Sequence, residues 1–529
     1  MTTGTVTPYR SGLRTGRDGF TQLLRAEWTK FRTVRGWMIG MVVAALVTVL
    51  LGLFSAAGNH SSCSKGPVEV ACPTPPVGPD GEAVKDQFYF VHQSLTGNGS
   101  ITVRTTSMTG RIKQPPPPGT IGPGPEPVPG LVPWAKAGIM IKESTKQGAP
   151  YAAVMVTPAH GVRMQYNFTQ DMAGRPGSVS GKSPRWLRLV RSGDTITGYD
   201  STDGTNWSKV GTARLAGLPT TVRIGLFAAS PGDVTVKQDV IAGSIVQARF
   251  SEATAVLDNV SLQGTVSRGA WSRDDVGVSF ELDEVTPHHP GGAVESGGTF
   301  TVTGNGDIGP LGEDGKIEFT LTGVIIALTL VIVLAVMFIT AEYRRGLIRT
   351  TLLATPRRGR VLMAKAVVIG TVTFIAGLAA VMVTVTFGTR ILRANGNYIL
   401  PVSLFTEVRV IVGVAALLAV AAVFALALGA LFRRSVAAVI TAIVLIILPH
   451  VLATTSVLPD GAVQWLLRLT PAAGFAIQQS IPQYAHVTGH YVPQAGYYPL
   501  PPWAGFAVLC GYTALILGLA VFQFRRRDA

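Results

Sequence analysis

Six long runs of uncharged, mostly apolar residues punctuate the chain, at about 36–58, 319–341, 366–389, 410–432, 435–457 and 503–524. A hydrocarbon core about 30 Å thick takes roughly 20 helical residues at about 1.5 Å each, so every run is long enough to cross a bilayer. None contains Asp, Glu, Lys or Arg, whereas a soluble core helix of that length would carry a polar face. The pattern predicts six transmembrane helices. Between the first two runs the period changes. Across 84–263, short alternating stretches recur between turn signals: DQFYFVHQ, SITVRTTSM, KAGIMIKES, YAAVMVT, GVRMQYNF, RWLRLVRSG, TITGYDS, TVRIGLFAAS and TAVLDNVSL. Such spacing predicts an all-β sandwich. QPPPPGTIGPGPEPVPG at 114–130 holds too many prolines to pair as a strand and reads as an extended surface loop.

Charge then orients the spans. Residues 59–317 hold 22 Lys/Arg against 23 Asp/Glu, while the rest of the chain holds 23 against 7. The basic excess therefore sits beside the apolar runs and not on a soluble module, which argues against nucleic-acid binding. Seven basic residues lie between Arg10 and Arg35, six between Arg344 and Arg360, then Arg433 and Arg434, and finally Arg525, Arg526 and Arg527. The opposite short loops hold only Arg390, Arg393, Arg409 and Arg468. Basic flanks stay inside, so both termini are expected in the cytoplasm and residues 59–317 outside. The first run begins too late and is too long for a cleavable signal, and reads as an anchor. Upstream, Phe20, Leu23, Leu24, Trp28 and Phe31 recur at helical spacing with Arg25, Lys30, Arg32 and Arg35 between them. That is the pattern of an amphipathic helix at the inner headgroup layer. Arginine outnumbers lysine 33 to 12, a composition typical of GC-rich bacteria.

Cys63 and Cys72 follow the first run on the oxidising side. A disulfide is predicted there, contributing on the order of 2–3 kcal/mol. The third cysteine, Cys510, lies in the sixth run and is expected only to pack. Residues 463–480, with Pro471 and Gly474, are apolar enough to dip into the outer leaflet, and Pro449 with His450 suggests a kink in the fifth span. GNGDIG at 304–309 fits G-x-G-x-x-G but opens no helix, and reads as a turn.

Two resemblances sharpen this picture. WAKAGIMIKES (134–144) and RWLRLVRSGDTITGYDSTDGTNWSKVG (185–211) resemble the concanavalin A-like lectin/glucanase jelly roll of bacterial extracellular proteins, over about 180 residues. The resemblance implies a two-sheet sandwich and permits carbohydrate binding, with Trp134, Trp186, Tyr199 and Trp207 as candidate glycan contacts. No carboxylate pair at a glycosidase spacing accompanies them. WSRDDVG (271–277) and GGTFTVTGNGDIG (297–309) resemble the opening strands of the same jelly roll, although they come last here. The end of the insertion is therefore expected to fold back into the sheet.

The basic stretch EYRRGLIRTTLLATPRR (342–358), with RAEWTKFRTVRGW before the first span and LLRLTPAAGFAIQQ before the sixth, resembles the ABC type-2 exporter permeases of actinobacterial type. That resemblance implies a permease without enzymatic activity, driven by two copies of a separate ATPase, and re-entrant helices before the sixth span. A homodimer or a pairing with a second permease would enclose the path. The chain has no G-x-x-x-x-G-K-[ST], so no cofactor is expected in it, and ATP with Mg belongs to the partner ATPase. Glu342, Arg344, Arg345, Leu347, Ile348 and Arg349 are the expected ATPase-coupling helix, ended by Pro356, with Glu342 paired to a neighbouring arginine. No metal site or catalytic residue is expected.

The expected domains are a cytoplasmic N-terminus with the amphipathic helix (1–35), transmembrane helix 1 (36–58), an extracellular linker (59–83), the β-sandwich (84–317), transmembrane helix 2 (318–341), the coupling helix (342–363) and transmembrane helices 3–6 (364–529) with a re-entrant segment at 463–480. The function expected is that of an ABC exporter permease in a bacterial plasma membrane. The alternative is an ATP-driven mechanical or glycan-sensing membrane protein acting through its outer domain. The partners expected are the ATPase, the bilayer and, through the sandwich, cell-wall glycan, with no nucleic acid.

Overall fold

A computed structural model describes residues 19–65, 68–114, 125–239, 243–267, 269–277, 279–280, 287–288, 291–312, 315–344, 346, 358–455, 457–489 and 491–526. Six helices are long and apolar enough to cross a membrane: Arg35–Gly58, Val324–Arg344, Gly359–Ala394, Leu404–Phe432, Ser435–Thr454 and Pro502–Gln523. The third continues well beyond the apolar run that marks it in the sequence, starting at Arg358 and ending at Ala394. The second starts later than expected, after a 3-10 turn at Ile317–Leu321.

The fourth helix is the hub of the bundle. Ala415, Ala421, Ala422, Ala425 and Ala427 on it are fully buried. Small side chains let neighbouring backbones approach, as membrane helices require where no hydrophobic drive separates protein from lipid. A Cβ at Gly413 would lie 2.4 Å from Ile477. The fifth helix widens into a π-helical turn at Ile443–Ile447, just before Pro449. Proline lacks an N–H and crowds the preceding turn, and a wider turn relieves both problems. His450 is buried there, stacked on Phe475 with ring centroids 3.9 Å apart. Its Nδ1 has no hydrogen-bond partner.

Before the sixth helix, Asp460–Leu469 is followed by a 3-10 turn, Pro471–Gln478, whose residues 471–477 are buried. Arg409 from the fourth helix donates to the carbonyl oxygens of Ile477 and Gln479, at 3.2 and 2.7 Å. These bonds satisfy carbonyls that the end of a helix leaves open.

The described strands from Val84 to Pro310 form the β domain. Its largest sheet has fourteen strands, in the order 208–214, 195–201, 185–192, 88–112, 221–229, 136–142, 151–157, 161–166 and 170–173, with further strands joined to 88–112 and to one another. The two expected strands DQFYFVHQ and SITVRTTSM are one strand, Phe88–Ile112. Its first part pairs with Thr221–Ala229 and its later part with Arg185–Ser192, and Ser251–Val266 runs along its other side. The end of the insertion does return to this sheet. Ser272–Val276 pairs with Phe88–Ile112, and Thr299–Gly304 pairs with Ser251–Val266. Phe300 and Val302 enter the same core as Val154, Met164, Leu189 and Ile196.

The first and last strands of the domain, Val84–Asp86 and Ile308–Pro310, pair with each other. The insertion thus closes on itself where it meets the helices. Two buried ion pairs lock that junction to a single strand, Lys136–Lys142. Lys142 donates to Asp86 at 2.7 Å and Lys136 to Asp307 at 2.6 Å, with both lysines fully buried. The GNGDIG turn supplies Asp307, with Gly306 at φ +82, a conformation glycine adopts at no steric cost.

Candidate functional site

The basic flank holds a buried cluster of four charges. The interfacial helix Phe20–Thr33 places Glu27 and Phe31 on one face, a turn apart, and both are buried. Phe31 meets Phe338 of the second apolar helix edge-on, with ring centroids 5.8 Å apart. Phe20, Arg25, Trp28 and Arg32 face outward. The expected amphipathic helix is therefore docked against the bundle on one side, and its charged side is not uniformly solvated.

Lys365, fully buried in the third helix, bridges two carboxylates: Glu27 Oε2 and Glu342 Oε1, each at 2.6 Å. Lys30 completes the set from the edge, at 2.7 Å from Glu27 Oε1 and 3.3 Å from Glu342 Oε1. The Lys365 ammonium also lies 4.7 Å from the Phe338 ring centroid. Two cations thus meet two anions, which compensates the desolvation that an unpaired buried charge would suffer. The cluster ties three elements together at one level: the interfacial helix, the end of the second apolar helix and the start of the third.

Among the described residues, Glu342 pairs with Lys30 and Lys365 and not with an arginine, whereas Arg345 lies outside them. Glu342 points into the bundle because its helix continues to Arg344, which puts it on the buried face one turn after Phe338. Arg344 is exposed in that last turn. Of the expected coupling helix, Arg345, Leu347, Ile348 and Arg349 lie outside the described residues. The segment that holds them runs from the end of the helix bearing Glu342 to the start of the helix bearing Lys365, so each of the two helices that flank it carries a member of the cluster. Glu27, Lys30 and Lys365 were not anticipated as site residues. A signal was present nonetheless: outside residues 59–317, Lys30 and Lys365 are the only lysines among 23 basic residues. Lysine is a compact cation that can bridge two carboxylates at a buried point, where a planar guanidinium is bulkier.

In the segment that precedes the sandwich, Cys63 and Cys72 form a disulfide with Cα atoms 4.9 Å apart. Trp186, Tyr199 and Trp207 come together on the outer face of the hairpin 185–201. Arg188 stacks 3.9 Å above the Trp207 ring and lies opposite Tyr199 in register. Arg104, paired with Asp258, lies 5.7 Å from Trp186. Trp134 lies apart, buried, with His160 stacked on it at 3.8 Å. Cations and an imidazole thus already occupy ring faces that a sugar would use. Among the described residues, no group of three or more His, Cys, Asp or Glu could hold a metal ion.

The loop before the sixth helix also touches the sandwich. The His486 ring donates through Nε2 to the Phe168 carbonyl at 2.7 Å. Burial holds its pKa below the usual 6.5; the Phe168 carbonyl and the nearby Asp171 and Asp307 act to raise it, and Lys136 to lower it. The neutral ring is the form that fits, so the contact is at full strength above about pH 6.5 and weakens as pH falls below it, where the undocked loop takes the proton first. Hydrogen exchange across 480–489, corrected for intrinsic rates, should show opening at about pH 5 that is absent at about pH 7.5. His486→Gln should abolish the difference.

The pattern of the ABC-2 family transporter proteins matches residues 243–529, more than half of the chain. The chain belongs to that family: it is a membrane component of a transporter. None of the curated proteins matches it. Among solved structures, it is similar to a functionally unknown protein from Saccharomyces cerevisiae, at 12% identity and TM-score 0.22, covering 37% of this chain and 85% of that one. It is also similar to scytalido-glutamic peptidase, at 8% identity and TM-score 0.24, covering 41% of this chain and 98% of that one. A third is the GH43 protein BlXynB from Bacillus licheniformis, at 14% identity and TM-score 0.18, covering 32% and 27%. At these scores the likenesses carry no argument about activity.

Proposed function

We propose that the chain is the permease subunit of an ATP-driven exporter in a bacterial plasma membrane. A separate ATPase, present in two copies with its own ATP and Mg, grips the basic segment 345–357 on the cytoplasmic face. The observation that carries this reading is the placement of the four-charge cluster. A force on that segment reaches the helices at Arg344, two residues after Glu342, and at Arg358, about two turns before Lys365. Rigidly bonded anchors pass the displacement to the interfacial helix and the second and third spans together, where loosely hinged ones would absorb it. Two permease chains, identical or paired with a different one, would enclose the path.

The test is co-purification with the ATP-binding-cassette ATPases of the same bacterium, each co-expressed with this chain. Arg344→Glu with Arg349→Glu should reduce ATPase capture to background while membrane insertion and expression stay unchanged. Unchanged capture would remove the segment from the interface.

The outer domain supports a second reading. Its first and last strands pair, two buried Lys–Asp bonds fix them to one strand, and His486 pins the loop before the sixth helix to Phe168. Such a junction would move the whole sandwich with the helices. An ATP-driven mechanical device, acting outside on cell-wall glycan or a protein partner without passing substrate, fits that rigidity. Loss of activity on deleting the sandwich, with ATP hydrolysis retained, would favour it.

A further inference from the structure

A groove of about 760 Å³ opens sideways from the bundle between the interfacial helix and the first and third apolar helices. Its walls are aliphatic, and Ala45, Ala376 and Ala379 supply the concavity that larger residues would fill. Along the first apolar helix it runs from Met38 to Val49. That is about 16 Å of helix, close to the roughly 15 Å depth of one leaflet's hydrocarbon. Arg25 and Trp28 of the interfacial helix line it at the end where the basic flank lies, and both are exposed. Among the described residues Arg25 makes no ion pair, because Glu27 and Glu342 are already held by Lys30 and Lys365.

We infer that this groove is a binding site for one acyl chain of an anionic phospholipid, whose phosphate meets Arg25. The depth suits a single chain, the lining suits hydrocarbon, and the unpaired cation stands at the level of the headgroups. A tryptophan beside it suits the interface, where an apolar ring with a polar N–H is favoured. A second copy of this chain is a poorer occupant. It would bring its own Arg25, Arg32 and Arg35 against the same end, and among the described residues of that flank the carboxylate, Glu27, is buried and already held by Lys30 and Lys365.

The inference goes beyond the exporter reading, and its test involves no ATPase, so either can fail alone. The purified full-length chain is titrated with phosphatidylglycerol or phosphatidylcholine and followed by native mass spectrometry. Wild type should retain one tightly bound phosphatidylglycerol, held about five-fold more tightly than phosphatidylcholine, as expected for one juxtamembrane cation. Arg25→Gln should erase that preference and Arg25→Lys should restore it. Ala379→Phe, at an exposed position that tolerates bulk, should weaken both lipids about ten-fold, since roughly two methylenes lose their place. Equal binding of the two lipids by wild type would overturn the proposal, as would unchanged binding in Ala379→Phe. So would copy-to-copy disulfides in native membranes from Ala45→Cys in a Cys510→Ala background, because they would show a second chain on the groove.

Discussion

Lys365→Met will cost the membrane part about 3–5 kcal/mol, the range for removing one partner from a buried charge network. The reason is geometric. Lys365 is fully buried and makes 2.6 Å contacts to two carboxylates from different helices. Without it, Glu27 and Glu342 share only Lys30, which stands at the edge with a 39% exposed side chain. One anion is then left buried and uncompensated, and two like charges face each other. Thermal unfolding in detergent should show the loss as a lowered midpoint. The matched control is Glu27→Gln with Glu342→Gln and Lys365→Met, which removes the buried charge altogether. It should recover most of the loss, because neutral groups of similar volume do not need the network. If the triple variant is as unstable as the single one, packing and not charge holds the three helices together there.

Asp86→Ala should destabilise the β domain by a similar amount, about 3–5 kcal/mol. Lys142 is buried at the far end of its strand among Phe88, Tyr151 and Phe168, each ring centroid within 6 Å of the ammonium: 5.9, 5.5 and 5.4 Å. Burial already pushes its pKa down, and the Asp86 carboxylate acts to raise it. With the carboxylate gone, only Glu143 still opposes the burial effect, and the ammonium sheds its proton or the strand Val84–Asp86 pulls away. Asp86 also accepts from the Gly148 amide at 2.8 Å, so the neighbouring turn loosens too. Asp86→Ala with Lys142→Met should restore much of the stability. Protease nicking between residues 140 and 150 in intact cells reads both effects. The expected order of susceptibility is Asp86→Ala first, then the double variant, then wild type.

How much of this could be read from the sequence depends on the range of the physics involved. The apolar helices were legible because a bilayer demands an unbroken uncharged run, a purely local requirement. Their ends were not. Lys365 stands one residue before the third run and so reads as loop, yet the helix starts at Arg358 because Glu27 and Glu342 neutralise the lysine inside. Glu27 is 338 residues from Lys365 in the chain, a distance no local pattern bridges. Alternation exposed the strands, but LTGNGS at 95–100 looked like a turn between two of them. In the structure Gly97, at φ +74, bends a continuous strand. The neighbours Thr221–Ala229 and Ser251–Val266 hold the chain extended through the bend, and a register shift at Gly264/Thr265 absorbs it. The return of 272–304 to the sheet was legible only through resemblance, since strand order is a property of the whole sandwich. The four aromatic residues were visible as residues, whereas the arginines over Trp186 and Trp207 come from other strands and His160 over Trp134 from a turn.

The most direct test of the central claim is the accessibility of one cysteine at Arg349→Cys, in a Cys510→Ala background, to a membrane-impermeant maleimide. The account predicts no labelling in intact cells, ready labelling in inverted vesicles, and protection there once an ATPase that co-purifies with this chain is added. Labelling from outside intact cells would contradict the topology, and labelling in inverted vesicles that the ATPase leaves unchanged would contradict the grip.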